Sequence, residues 1–192
     1  MPVPSKVGFS HFGIFVKSLP KMRAFYTRVL GFAETDRGIA RGRPIVFLSR
    51  DPSEHHQIVL VEGRTGSLDD LVVNQISLRV GSLGELRKLF RAITKRRDVT
   101  DLNPTDHGNA WSLYFRDPEK NRIELFVDSP WYVEQPRVEP LDLTQSEAAI
   151  KTRTKTAIED HPTFMPYSKW RADFARKLKR SLARKPKRAR AA

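Results

Sequence analysis

An α+β fold built from a duplicated βαβββ unit is what this 192-residue chain predicts, and three observations carry the expectation. The stretch from His11 to Pro20 lies over Gln75 to Gly84 at an offset of 64 residues. Within each copy the apolar period changes from two, as in a strand, to three and four, as in a helix. Three further short apolar runs, spaced as strands and turns, come after each helix.

In the first copy Phe9, Ile14 and Val16 read as the opening strand and Ser18 as the N-cap of a helix. The apolar face of that helix is Met22, Phe25, Tyr26, Val29 and Leu30, and strands are expected over Phe32–Asp36, Pro44–Leu48 and Gln57–Glu62. The second copy repeats the order with Ile76, Leu78 and Val80, the cap Ser82, and the helix face Leu86, Leu89, Phe90 and Ile93. Its strands are expected over Val99–Asn103, Trp111–Phe115 and Arg122–Val127. The paired unit accounts for residues 1–128. In residues 129–192, Pro130, Pro136 and Pro140 with Trp131, Tyr132 and Val133 read as an extended arm, and Ser146–Asp160 as a polar helix. Ser168 then caps a basic helix with Trp170, Phe174, Leu178 and Leu182 at four-residue steps; Pro186 ends it, and the run KPKRARAA reads as disordered.

Composition excludes several classes. No apolar run approaches the roughly 18 residues of a membrane span. The first ten residues lack the apolar stretch of a signal peptide, so a cytoplasmic address is expected. With no cysteine there is no disulfide scaffold, thiolate metal site or cysteine nucleophile. The net charge of +13 is uneven: residues 168–192 hold eleven Lys/Arg against one acid, and residues 1–167 keep only +3. The basic tail reads first as a solvated face. It also suits docking on its own domain, a second subunit, an anionic membrane or nucleic acid, although no base-reading motif accompanies it.

The second copy closes with Tyr114-Phe-Arg-Asp-Pro-Glu-Lys-Asn-Arg-Ile-Glu-Leu-Phe126. With the duplicated βαβββ unit, this resembles the vicinal oxygen chelate superfamily of glyoxalases, bleomycin-resistance proteins and extradiol dioxygenases over residues 7–128. Lys120 stands where that family has glycine, and Asn121 is expected to take the left-handed turn conformation. The resemblance implies two curved sheets around a cleft that holds a divalent metal. It puts four residues at that cleft: His11, Glu62, Gln75 and Glu124. Strand parity places Glu62 with Leu60, Ile58 and His56 on what is expected to be the cleft face. Such donors suit Fe(II) first, with Mn(II), Ni(II) or Zn(II) as alternatives. Gln75 stands where extradiol relatives carry a second histidine, whereas the His/Gln/Glu mix matches glyoxalase-type relatives.

The pair His55-His56 resembles the extradiol segment in which one histidine is the acid-base group, and His56 is assigned that role. His107-Gly108 and Tyr114 resemble the segment that contacts catechol and oxygen. Phe12, Trp111 and Phe126 either stack on a flat substrate or belong to the core. The segment Asn74–Pro136 looks like small biphenyl-2,3-diol dioxygenases. The resemblance therefore implies a metal-dependent, extradiol-type dioxygenase acting as a homodimer on a small aromatic diol and O2. The alternatives are a glyoxalase-type lyase or isomerase and a metal-free small-molecule-binding protein of the resistance type.

Overall fold

In the computed structural model, which describes residues 9–70 and 73–183, the two copies fold as the same unit. The first comprises β1 (Phe12–Val16), α1 (Leu19–Arg28), β2 (Ala33–Ala40), β3 (Arg43–Ser49) and β4 (Ile58–Glu62), in the sheet order β1-β4-β3-β2. The second comprises β5 (Ile76–Arg79), α2 (Leu83–Ile93), β6 (Thr100–Asp106), β7 (Ala110–Arg116) and β8 (Arg122–Asp128), in the order β6-β7-β8-β5. Each opening strand runs parallel to the last of its unit, with Phe12 opposite Ile58 in one sheet and Ile76 opposite Ile123 in the other.

Alternation along the strands explains the layers. Val16, Val46, Leu48, Ile58 and Leu60 pack on Met22, Phe25 and Tyr26 of α1, while Ile76, Leu113, Phe115, Ile123 and Leu125 pack on Leu83, Leu86 and Ile93 of α2. All belong to one continuous core. The intervening residues, among them His11, Gly13, Gln75, Ser77, Ser112, Tyr114 and Glu124, are thereby turned to the opposite faces of the sheets.

Four local expectations are corrected. β1 begins at Phe12, and Phe9 is 85% exposed, because pairing with β4 starts only at Ile58. The Ser18 side chain makes no capping bond. The Glu119 carboxylate of the β7–β8 turn takes that place, accepting from the amides of Lys17 (2.9 Å to each oxygen) and Ser18 (2.8 Å), an anion at a helix N-terminus. The left-handed residue of that turn is Lys120 itself (φ 63°), at the place where glycine is usual, because Asp117 Oδ1 accepts from the amides of both Glu119 and Asn121 and closes the turn around it. The last helix starts one residue before Ser168, directly after a short strand.

Beyond β8 the arm continues as β9 (Trp131–Tyr132), β10 (Glu139–Pro140), α3 (Glu147–Ile158), β11 (Met165–Pro166) and α4 (Tyr167–Ala183). β10 extends the second sheet beside β6, and Leu141, Leu143 and Ile150 enter the main core. Although its sequence is polar, α3 buries Ile150, Thr154 and Ile158 at four-residue steps. Trp111 Nε1 donates to Thr154 Oγ1 (2.7 Å), which donates in turn to Asp106 (2.5 Å). Pro186 and the terminal run Lys185–Ala192 lie outside the described residues.

Candidate active site

β8 carries Glu124, opposite Ser77 of β5 and Tyr114 of β7. Its flanking residues Ile123 and Leu125 are in the core, so the carboxylate projects from the other face and is only 7% exposed. Four neutral donors hold it. Oε1 accepts from Ser112 (2.7 Å) and Tyr114 (2.6 Å), and Oε2 from Gln75 (2.9 Å) and Ser77 (2.5 Å). A buried carboxylate needs such partners, since desolvation without them costs several kcal/mol, of order the full hydrogen-bonding energy of the group.

Tyr114 links this carboxylate to His107. The imidazole Nδ1 lies 2.6 Å from the Arg137 carbonyl and must carry a proton to donate there, which leaves Nε2 facing the Tyr114 hydroxyl at 3.0 Å. Burial, followed by the adjacent Glu124 carboxylate, pushes the Tyr114 hydroxyl well above its ordinary range, so Tyr114 keeps its proton. A cavity of about 330 Å³ opens on this line, bounded also by Ser77, Arg79, Phe126 and, from the arm, Gln135 and Tyr167.

His11 and His56 form a second cluster, their ring centroids 4.1 Å apart and His56 also against Phe47 at 5.1 Å. Partial burial, then the neighbouring His11 and His55, pull His56 below the ordinary imidazole value. His55 bridges His56 (2.9 Å) and Asp36 (2.8 Å). Ser10 and Phe12, on either side of His11, line the same interunit cavity of about 1280 Å³ as Gln75 and Ser77. The starts of β1 and β5 therefore face a common seam.

The structure thus groups His11 with His56, and Gln75 with Glu124, Tyr114 and His107. Glu62 joins neither. It pairs with Val16 at the far end of β1, and alternation puts it on the helix-facing side with Ile58 and Leu60. The residue of the first sheet that corresponds in register to Glu124 is Val59. Trp111 is core, 2% exposed, and Phe12 packs against the core; Phe126 alone of the three candidate aromatics lines the smaller cavity. Sequence reasoning misses Ser77 and Ser112 as site residues. Their signal is a small hydroxyl in an apolar strand, two positions from Gln75 and Tyr114 respectively.

Among the described residues no three His, Cys, Asp or Glu side chains form a metal-holding group. Of the expected ligands, those near the seam are an imidazole (His11, with His56 beside it), an amide oxygen (Gln75) and a carboxylate (Glu124). By donor type the three suit a divalent cation with a single anionic ligand, but the structure sets His11 beside His56 and Glu124 among four hydrogen-bond donors.

Residues 8–125 match the model of the Glyoxalase/Bleomycin resistance protein/Dioxygenase superfamily. Two curated relatives are Biphenyl-2,3-diol 1,2-dioxygenase 3 and 2 of Rhodococcus globerulus, 28% and 25% identical over 125 residues. The matched part is 62% and 63% of this chain and 63% of each relative's length. Among solved structures, a glyoxylase/bleomycin resistance protein/dioxygenase domain from Frankia sp. EAN1pec superposes with a TM-score of 0.55 at 24% identity, covering 65% of this chain and all of that one. With the duplicated βαβββ architecture, these findings show that the chain belongs to the glyoxalase/bleomycin resistance/dioxygenase superfamily, whose fold is the vicinal oxygen chelate fold.

Proposed function

We propose that this protein binds a small aromatic diol in the cleft beside β5, β7 and β8 and opens its ring with O2. The observation that carries the reading is the line Glu124–Tyr114–His107–Arg137 carbonyl. Its three contacts require three protons. An ionised Glu124, a phenolic Tyr114 and a neutral His107 bring only two. Tyr114 directs its proton to Glu124 Oε1, so the contact between Tyr114 Oη and His107 Nε2 is the one without a proton, and the line has room for one more. A diol hydroxyl seated in the 330 Å³ cavity is a source for it, within the roughly 300–1,000 Å³ range of small-molecule sites. Phe126 offers the diol an apolar surface, and Arg79, whose guanidinium lies 4.5 Å from the Phe126 ring centroid and pairs with Asp128, a positive charge at the cavity.

A divalent cation held by His11, Gln75 and Glu124, Fe(II) before Mn(II), Ni(II) or Zn(II), would supply Lewis acidity toward the two diol oxygens. His56, beside His11, is assigned as the acid-base group at the seam. The exposed apolar side chains Phe15 (57%) and Ile39 (78%) support a homodimer that covers them. A second reading, a metal-free protein that only binds an aromatic molecule, is favoured by the complete set of donors around Glu124.

Oxygen uptake separates the two. Fe(II)-loaded protein under air is expected to consume about one O2 per 2,3-dihydroxybiphenyl or catechol and to form a yellow ring-opened product containing both oxygen atoms. Binding of the diol without oxygen consumption, with iron demonstrably bound, selects the second reading.

A further inference from the structure

We propose that α4 is a surface-binding helix that seats this protein on anionic lipid. Only its first turns are tied to the domain. Trp170 stacks on Tyr132 (5.1 Å) and Tyr167 (5.4 Å), and Arg171 pairs with Asp128 at 2.6 Å. Phe174 continues the stack at 5.3 Å from Trp170 with the rings 1° from parallel. From that point every residue of 174–180 is exposed.

Two features of the free part fit an anionic bilayer. Phe174 and Leu178, each 48% exposed, extend the Trp170 stripe and lie within about 40° of each other around the helix, at 100° per residue. Arg176 and Lys179 lie about 100° or more from every residue of that stripe, Arg180 lies about 80° from its edge at Trp170, and Lys177 flanks that edge. Residues 167–180 contain six Lys/Arg and one acid, Asp173, which Lys169 and Arg176 share. Lys177, Lys179 and Arg180 have no ion-pair partner among the described residues. An apolar strip with Trp, Phe and Leu beside a basic face, at low overall hydropathy, is the pattern of helices that lie in the lipid interface. The sequence beyond Arg180 adds five more bases against no acid.

Nucleic acid is the poorer fit. On it the basic face would find phosphates, but Phe174 and Leu178 would stay in water, and the aromatics here stack on one another rather than standing free for bases. No helix among the described residues is long and apolar enough to cross a membrane.

The test uses the full chain, phosphatidylcholine vesicles, and vesicles in which one third of the lipid is phosphatidylglycerol. At least tenfold stronger partition onto the anionic vesicles is expected, with a blue shift of tryptophan emission. Phe174→Ser with Leu178→Ser should lose at least tenfold of that partition while far-ultraviolet circular dichroism and diol binding stay unchanged; Lys179→Glu with Arg180→Glu should lose as much. Equal partition on neutral and anionic vesicles would overturn the proposal. So would a Ser variant that still binds as the parent does, tighter binding to DNA than to vesicles at the same salt, or a Ser variant that dissociates a dimer.

Discussion

Glu119→Ala should weaken the fold by about 2 kcal/mol, because Glu119 reaches across the two units to cap a helix whose own Ser18 does not. Losing the carboxylate strips the Lys17 and Ser18 amides of their acceptor. Both are part-buried, so water recovers some of the loss, and about 1 kcal/mol per amide is the lower end of the usual penalty. The one methylene that alanine lacks, Cγ, adds up to about 0.8 kcal/mol, since Glu119 is 3% exposed. Relief of repulsion with the buried Asp117 carboxylate, whose proton affinity Glu119 raises, offsets part of this, about 0.5–1 kcal/mol. Urea unfolding at neutral pH measures the result. With an m-value of about 2–3 kcal/mol/M the midpoint should fall by about 1 M, and Glu119→Gln, which keeps an acceptor oxygen, should lose less than half of that. A shift under about 0.3 M for the alanine variant, or a glutamine variant worse than alanine, would refute the bridging role.

Tyr26→Phe should raise stability by about 1 kcal/mol in the same assay, because the Tyr26 hydroxyl is the one buried side-chain polar atom without a partner among the described residues. A destabilised variant would show that the hydroxyl is satisfied after all. For Asp117, burial is the largest influence and raises its affinity for protons. Stability it contributes is present below its unfolded value near 3.8 and is lost as pH rises through the raised folded value, so Asp117→Asn should gain on the parent from pH 3 toward neutrality. A difference between the two proteins that is constant with pH would contradict this. In the oxygen-uptake assay, Tyr114→Phe should lower the rate by about 10²-fold by removing the hydroxyl that joins Glu124 to His107, with metal content kept. Gln75→His should tighten Fe(II) binding by replacing an amide oxygen with an imidazole, and unchanged affinity would place residue 75 outside the ligand set.

The duplication is legible because each copy repeats a change of apolar period, and a period survives many substitutions. The cleft side of β4 is not. Ile58-Val59-Leu60-Val61 is apolar on both faces, so alternation groups Glu62 with Leu60 and Ile58 without saying which face meets the helix. The core settles that, and it puts Glu62 on the helix side. The Glu119 cap joins residues 101 and 102 positions apart, beyond the reach of any local capping rule. Gln75 stands out in sequence as a departure from a histidine; its amide bond to Glu124 emerges only when β5 and β8 pair. The hydroxyls of Ser77 and Ser112 say little one at a time, and acquire meaning from the carboxylate they converge on.

Elemental analysis of the protein purified without added metal or chelator tests the proposed site most directly. The parent should carry about one divalent ion per chain, His11→Ala and Glu124→Ala should carry none, and Glu62→Ala should match the parent. A parent without metal, equal content in all four proteins, or loss of the ion from Glu62→Ala would contradict a site built at the starts of β1 and β5.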